Sequence, residues 1–180
     1  MRDLSGGHEL LSLNTATVRK QGDLGKIIDA CARHEIRAIS PWRDQVADFG
    51  LQASVRKVQD AGLALSGYCR GGMFPADATH LQEALEDNRR AVDEAAALRA
   101  PCLVLVVGGL PQFSRPGSAA SKDLRAAHTM VEDGIADLLE YAREAGMPLA
   151  IEPLHPMYAA DRACVNTLGH ALSICDRLDP

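Results

Sequence analysis

Along the chain, short apolar runs alternate with longer segments whose apolar residues return at helical spacing. LLSLN (10–14), IRAIS (36–40), LALSG (63–67), CLVLVV (102–107) and LAIEP (149–153) predict strands. Between them, Leu24, Ile27, Ile28 and Cys31 fall at i, i+3, i+4 and i+7, and Val131, Ile135, Leu138, Leu139 and Ala142 follow the same logic, so amphipathic helices are expected there. A further helix is expected from near Asn166, with Leu168, Ala171, Leu172 and Cys175 on one face. The joints ACARHEIRAIS, VQDAGLALSG, AALRAPCLVLVV and YAREAGMPLAIEP each lead from a helix end through a short turn into a strand. Glycine past a helix end supplies a left-handed cap, and proline stops the helix. The pattern amounts to five strand-helix units.

Strands separated by single helices run parallel, because each crossover returns the chain with the same sense. The first turn, NTATVRKQGD, lacks G-x-G-x-x-G, and G-x-x-x-x-G-K-[ST] occurs nowhere in the sequence. A nucleotide-binding open sheet therefore loses its main sequence support. The expected fold class is α/β, of the (β/α)8 barrel type, with about five of its units in a single domain over residues 1–180. An incomplete barrel leaves parallel edge strands unpaired, so self-association or a longer polypeptide is expected.

Composition narrows the class of partner. Of the 180 residues, 47% are apolar, 24% charged and only 4% aromatic, as in an enzyme-like globular chain. The net charge of −5 comes without any long run of Lys or Arg, which disfavours nucleic acid and anionic membranes and leaves small molecules. The five cysteines are scattered and never form C-x-x-C, which argues against a disulfide framework and a structural zinc site. No apolar run reaches the length of a signal peptide core or a membrane span, so a cytoplasmic setting is expected.

In a barrel, chemistry sits at the carboxyl ends of the strands. Those ends carry Asn14 and Thr15; Ser40, Pro41, Trp42 and Arg43; Tyr68, Cys69 and Arg70; Gly108 and Gly109; and Glu152 with His155. Glu152 closes a run of apolar strand formers, where an idle carboxylate is costly to keep, so it is the leading functional candidate. Arg43 and Arg70 are suited to gripping an anionic or polyhydroxylated ligand, or to snorkelling over the rim beside Trp42. Gly71-Gly72 and Gly108-Gly109 read as tight turns, or as places where a ligand approaches the backbone. His8, His34, His80, His128 and His170 read as surface or capping residues. Asp161, Arg162 and Asn166 read as the loop and helix cap after the fifth strand.

These segments resemble the sugar phosphate isomerase/epimerase superfamily of xylose-isomerase-like TIM barrels. The resemblance rests on NTATVR, AISPWRDQ, SGYCRGGMFP, LVLVVGGLP and above all AIEPLHPMYAADR. It implies a divalent cation, Mn²⁺, Mg²⁺, Co²⁺ or Zn²⁺, with Glu152 as first metal ligand and an Asp, a His and a second Glu expected beyond Pro180. It further implies an enediolate mechanism on a sugar, sugar phosphate or polyol. In that mechanism Glu152 and His155 are catalytic, and Asn14, Trp42, Arg70 and His155 contact the substrate. A metal ion held by one carboxylate binds weakly, so the 180 residues alone are expected to be inactive.

The sequence also departs from the resemblance. Well-defined ketose 3-epimerases of that superfamily carry Asn, Arg and Glu soon after this Glu, where the chain has Leu154, His155 and Tyr158. The endonuclease branch uses histidines at the second and third strand ends, which here read SPWR and YCRGG. Two alternatives stand beside the isomerase or epimerase: a polyol dehydratase of the same superfamily, and a non-catalytic half-barrel that forms homo-oligomers through its open edges.

Overall fold

The computed structural model describes residues 10–75, 80–110 and 123–179. His8 lies outside them. The described residues form six helices and two three-stranded parallel sheets, neither of them closed. The chain divides into two compact units, Met1–Cys69 with Glu94–Leu103, and Arg70–Asp93 with Val104–Pro180.

In the first unit, β1 (Ser12–Asn14), β2 (Ala38–Ser40) and β3 (Ala64–Leu65) pair in that order, with Leu13 opposite Ile39 and Ile39 opposite Leu65. Helix α1 (Leu24–Arg33) starts at Asp23, whose carboxylate accepts from Lys26 N, and buries the predicted Leu24, Ile27, Ile28 and Cys31. A side chain at Gly25 would meet the Phe49 ring at 2.7 Å, so the absence of a Cβ sets how closely α1 and α2 (Arg43–Phe49) approach. Where the sequence suggests one helix after β2, the structure has two: Gly50, at φ 92°, breaks α2 from α3 (Leu51–Asp60). The buried Ser54 hydroxyl donates to Gly50 O at 2.9 Å and steadies that break.

The helix-to-strand joints share one closure. The amides of Ile36, Leu63, Ala100 and Met147 donate back to the carbonyls of Cys31, Val58, Ala95 and Ala142 at 2.8–3.1 Å. This six-to-one bond needs a left-handed residue just before the donor. Gly62 and Gly146 fill that role as expected, while Glu35 and Arg99 adopt φ 57° and 56° without being glycine.

The third strand end differs from the sequence expectation. Tyr68, Cys69 and Arg70, expected at the end of the third strand, instead belong to a separate strand β4 (Tyr68–Gly72), with Arg70 in its middle. Pairing explains this: Tyr68 N donates to Cys102 O in the first unit, and Met73 N donates to Val106 O in the second. Gly71-Gly72 is therefore strand and no tight turn. A Cβ on Gly72 would sit 2.0 Å from Val106 O, so the glycine serves backbone-to-backbone approach. The buried Asn88 of α4 (Leu81–Ala97) accepts from Gly72 N at 2.6 Å and donates to Gly72 O at 2.8 Å.

In the second unit, β5 (Leu103–Val106) lies between β4 and β6 (Leu149–Ile151). Helix α5 (Leu124–Glu144) buries Val131, Ile135, Leu138 and Ala142 as predicted, with Leu139 half-buried, and Gly134 makes room for the fully buried Phe74. Helix α6 (Leu168–Leu178) buries Ala171 and Ile174. Leu168, Leu172 and Cys175 are exposed, so the apolar face expected for this helix is rotated. Both stripes are apolar, and spacing alone does not say which one meets α5.

Candidate functional site

In the first unit, Asn14 closes β1 and its side-chain oxygen accepts from Ala16 N at 3.0 Å, capping a short 3-10 turn. The same oxygen accepts from the Trp42 indole N–H at 2.8 Å, so two of the predicted substrate contacts touch each other. The buried Thr15 hydroxyl accepts from Trp42 N at 3.2 Å. The Arg19 guanidinium lies 5.2 Å from the indole ring and is bonded to Asp44 at 3.0 Å. Trp42 is thus held by its backbone, its ring nitrogen and one ring face.

Arg43 is not available to a ligand in the way the sequence allows. Its guanidinium grips Glu94 with two bonds, at 2.7 and 3.2 Å, and Tyr68 donates its phenol to the same carboxylate at 2.9 Å. Burial, and after it the Glu94 charge, push the Tyr68 phenol far above its ordinary value. Tyr68 is therefore a neutral donor and the cluster is internally satisfied. Sequence reasoning missed Glu94, although a signal was present: Ala91, Glu94, Ala95 and Leu98 stand at i, i+3, i+4 and i+7, so an acid sits on an apolar stripe. Asn88 interrupts that same face one turn earlier.

In the second unit, Glu152 follows β6 directly, and its amide donates to Leu105 O at 3.0 Å. Its carboxylate makes no hydrogen bond or ion pair among the described residues, in contrast to that of Glu94. His155 is exposed, and its Nδ1 accepts from Met157 N at 3.2 Å at the start of a 3-10 turn, Pro156–Tyr158. That bond leaves the proton on Nε2. Arg70 likewise makes no ion pair among the described residues.

The loop after Glu152 is pinned along its length. Leu110 N donates to Ala160 O, Gly108 N to Arg162 O and Cys164 N to Gly108 O, at 2.7–2.8 Å. A Cβ on Gly109 would lie 2.1 Å from Ala160 O, so the Gly108-Gly109 pair serves this contact. The Arg162 guanidinium stacks 4.8 Å from the Tyr158 ring. Asn166, expected as a cap, instead donates to Leu154 O and Ala163 O, and Thr167 caps α6. His128 and His170, expected as surface or capping residues, form an edge-to-face pair 4.5 Å apart, with His128 Nε2 donating to Cys164 O at 3.0 Å.

An apolar cavity of about 480 Å³ lined by Ile135, Leu139, Met147, Leu149, Ile151 and Ile174 lies in this unit, but neither Glu152 nor His155 borders it. Among the described residues no three of His, Cys, Asp or Glu converge as a metal site requires. No helix there is long and apolar enough to cross a membrane.

Residues 28–180 match the model of a family described as xylose isomerase-like TIM barrel. A crystal structure of a protein from Sinorhizobium meliloti 1021 is 59% identical, with a TM-score of 0.89 over 97% of this chain and 61% of that one. The chain thus spans about three-fifths of that relative. The D-psicose 3-epimerase of Clostridium cellulolyticum H10, solved with D-tagatose, shares the fold at 11% identity, with a TM-score of 0.72 over 93% of this chain and 59% of that one. The IolI protein, solved with a zinc atom, does so at 16% identity, with a TM-score of 0.73 over 94% and 59%. No curated protein matches the sequence.

Proposed function

The chain belongs to the xylose isomerase-like TIM-barrel family, and from that premise we propose that it serves in a sugar or polyol isomerase or epimerase with Glu152 as the proton-transferring carboxylate. One observation carries the reading. Glu152 is fixed through its backbone to Leu105 O, while its carboxylate is uncommitted among the described residues. A base held in place but free of partners is what proton abstraction beside a carbonyl needs.

The family's expected cofactor is a divalent cation, Mn²⁺, Mg²⁺, Co²⁺ or Zn²⁺, with Glu152 as a ligand. The described residues do not by themselves fit a resident ion. They bring no three ligands together, and no buried side-chain polar atom among them is left without a partner. What the chain's own residues supply is a fixed carboxylate and hydrogen-bond donors around it.

The Glu152 carboxylate takes the proton from the carbon between a sugar carbonyl and its neighbouring hydroxyl. The C–H electron pair becomes the double bond of an enediolate as the carbonyl pair moves onto oxygen. Return of the proton to the former carbonyl carbon, as the hydroxyl proton passes to the oxyanion and the new carbonyl forms, completes an isomerisation, and delivery of a proton to the opposite face of the original carbon by a second acid completes an epimerisation. His155 donates through Nε2, and Arg70 contacts distal oxygens or a phosphate.

The test is solvent exchange, with the polypeptide isolated from its own cells. Ketoses and aldoses are incubated with it in D2O and added Mn²⁺, and deuterium next to the carbonyl is read by NMR. Incorporation that disappears in Glu152→Gln is the expected result. Exchange at the wild-type rate in that variant would remove Glu152 from the reaction.

A further inference from the structure

Backbone anchoring of a base is effective only if the chain on both sides of it is held. On the amino-terminal side of Glu152 the β6 ladder does this, through the bond from Glu152 N to Leu105 O. On the other side the strand has ended, and Pro153 lacks an N–H with which to extend the ladder. The next anchoring point is Leu154. Its amide donates to Val165 O at 3.2 Å, and its carbonyl accepts from Asn166 Nδ2 at 3.0 Å. The same Asn166 nitrogen donates to Ala163 O at 2.9 Å, so one side-chain amide ties the beginning of the loop to its end.

The far end is itself secured. Cys164 N bonds Gly108 O, and Cys164 O accepts from His128 Nε2 at 3.0 Å. Thr167 then starts α6 by accepting from His170 N. Asn166 therefore transmits the position of a braced segment to a residue two places from the carboxylate. Its two donors point at two carbonyls, a pattern that no aliphatic side chain and no carboxylate can reproduce.

We propose that Asn166 is a positioning residue for Glu152, holding the backbone beyond the carboxylate through Leu154 O so that the base stays aligned with the C–H bond. This rests on the reading of Glu152 as the proton-transferring group. Displacement of a catalytic group by about 1 Å costs on the order of 100-fold in rate, and loss of a supporting hydrogen bond costs about 10- to 100-fold.

The experiment compares Asn166→Ala and Glu152→Gln with the wild-type polypeptide isolated from its own cells, using the sugar that exchanges deuterium in D2O. It measures kcat and KM for exchange well below each variant's unfolding midpoint. The expected result is a kcat about 10- to 100-fold lower in Asn166→Ala with KM within about two-fold, against complete loss in Glu152→Gln. A wild-type kcat in Asn166→Ala beside an inactive Glu152→Gln would overturn the positioning role and leave the function intact. So would a rise in KM matching the fall in kcat, or a lowered midpoint with kcat unchanged, since either marks a residue that only stabilises the loop. Persistent exchange in Glu152→Gln would remove both readings. If Asn166→Ala does not fold, Asn166→Ser, which keeps one short donor, is measured by the same criteria.

Discussion

The indole N–H of Trp42 and the side-chain oxygen of Asn14 meet at 2.8 Å, joining the residue that closes β1 to the one that opens α2. The same oxygen caps the turn at Ala16, so one acceptor serves two donors. Asn14→Ala leaves both donors to solvent and is expected to cost about 1 kcal/mol. Trp42 is the single tryptophan, so its fluorescence reports both the local change and the unfolding. An unchanged emission maximum and midpoint would show that the indole bond is not formed in solution.

Glu94 accepts from Arg43 and Tyr68 together, and both ion-pair side chains are largely withdrawn from water, at 20% and 26% exposure. Glu94→Ala takes the carboxylate away from the Arg43 guanidinium and leaves the buried Tyr68 phenol without its acceptor, and a loss of about 2–3 kcal/mol is expected in urea unfolding. Glu94→Gln, which still accepts from one partner, should lose less. Equal losses in the two variants would mean that the charge contributes nothing.

The His128 and His170 rings lie 4.5 Å apart. Burial, then the neighbouring His128, lower the His170 value, with Glu132 opposing and Arg177 reinforcing. The folded protein therefore binds this proton less readily than the unfolded chain does. Stability from this site is present above the ordinary imidazole value of 6.5 and is lost as pH falls below it through the lowered folded value. His170→Asn should flatten the dependence of the unfolding midpoint on pH in that window. A variant with the wild-type slope would exclude the pair as its source.

Glu35 and Arg99 hold left-handed backbone that costs a side chain about 1 kcal/mol, whereas the equivalent joints use Gly62 and Gly146. Arg99→Gly and Glu35→Gly are expected to raise stability by up to about 1 kcal/mol each in thermal unfolding. Destabilisation would mean that side-chain contacts outweigh the backbone strain.

Local pattern carried much of the fold. The i, i+3, i+4, i+7 spacing of Leu24, Ile27, Ile28 and Cys31 located α1, and CLVLVV and LAIEP located β5 and β6, because period and strand-forming side chains are written in consecutive residues. Strand β4 was not legible that way. YCRGG carries no apolar alternation, and its extension comes from the carbonyls of Cys102 and Val106 more than thirty residues away. The rotated face of α6 had the same origin, since Ala171 and Ile174 were selected by what they pack against.

The candidate site divides along the same line. The sequence by itself determined that a carboxylate, Glu152, comes at the end of an apolar run and that Asn14 and Trp42 stand at the ends of earlier ones, because a strand's end is marked by the residues that stop it. Only the tertiary structure decided which polar groups are already spent. Arg43 is taken by Glu94, Asn14 by Trp42, and Asn166 by the ends of its own loop, while the Glu152 carboxylate keeps its lone pairs free among the described residues. A hydrogen bond forms wherever donor and acceptor come within about 3 Å, and that proximity is set by the fold.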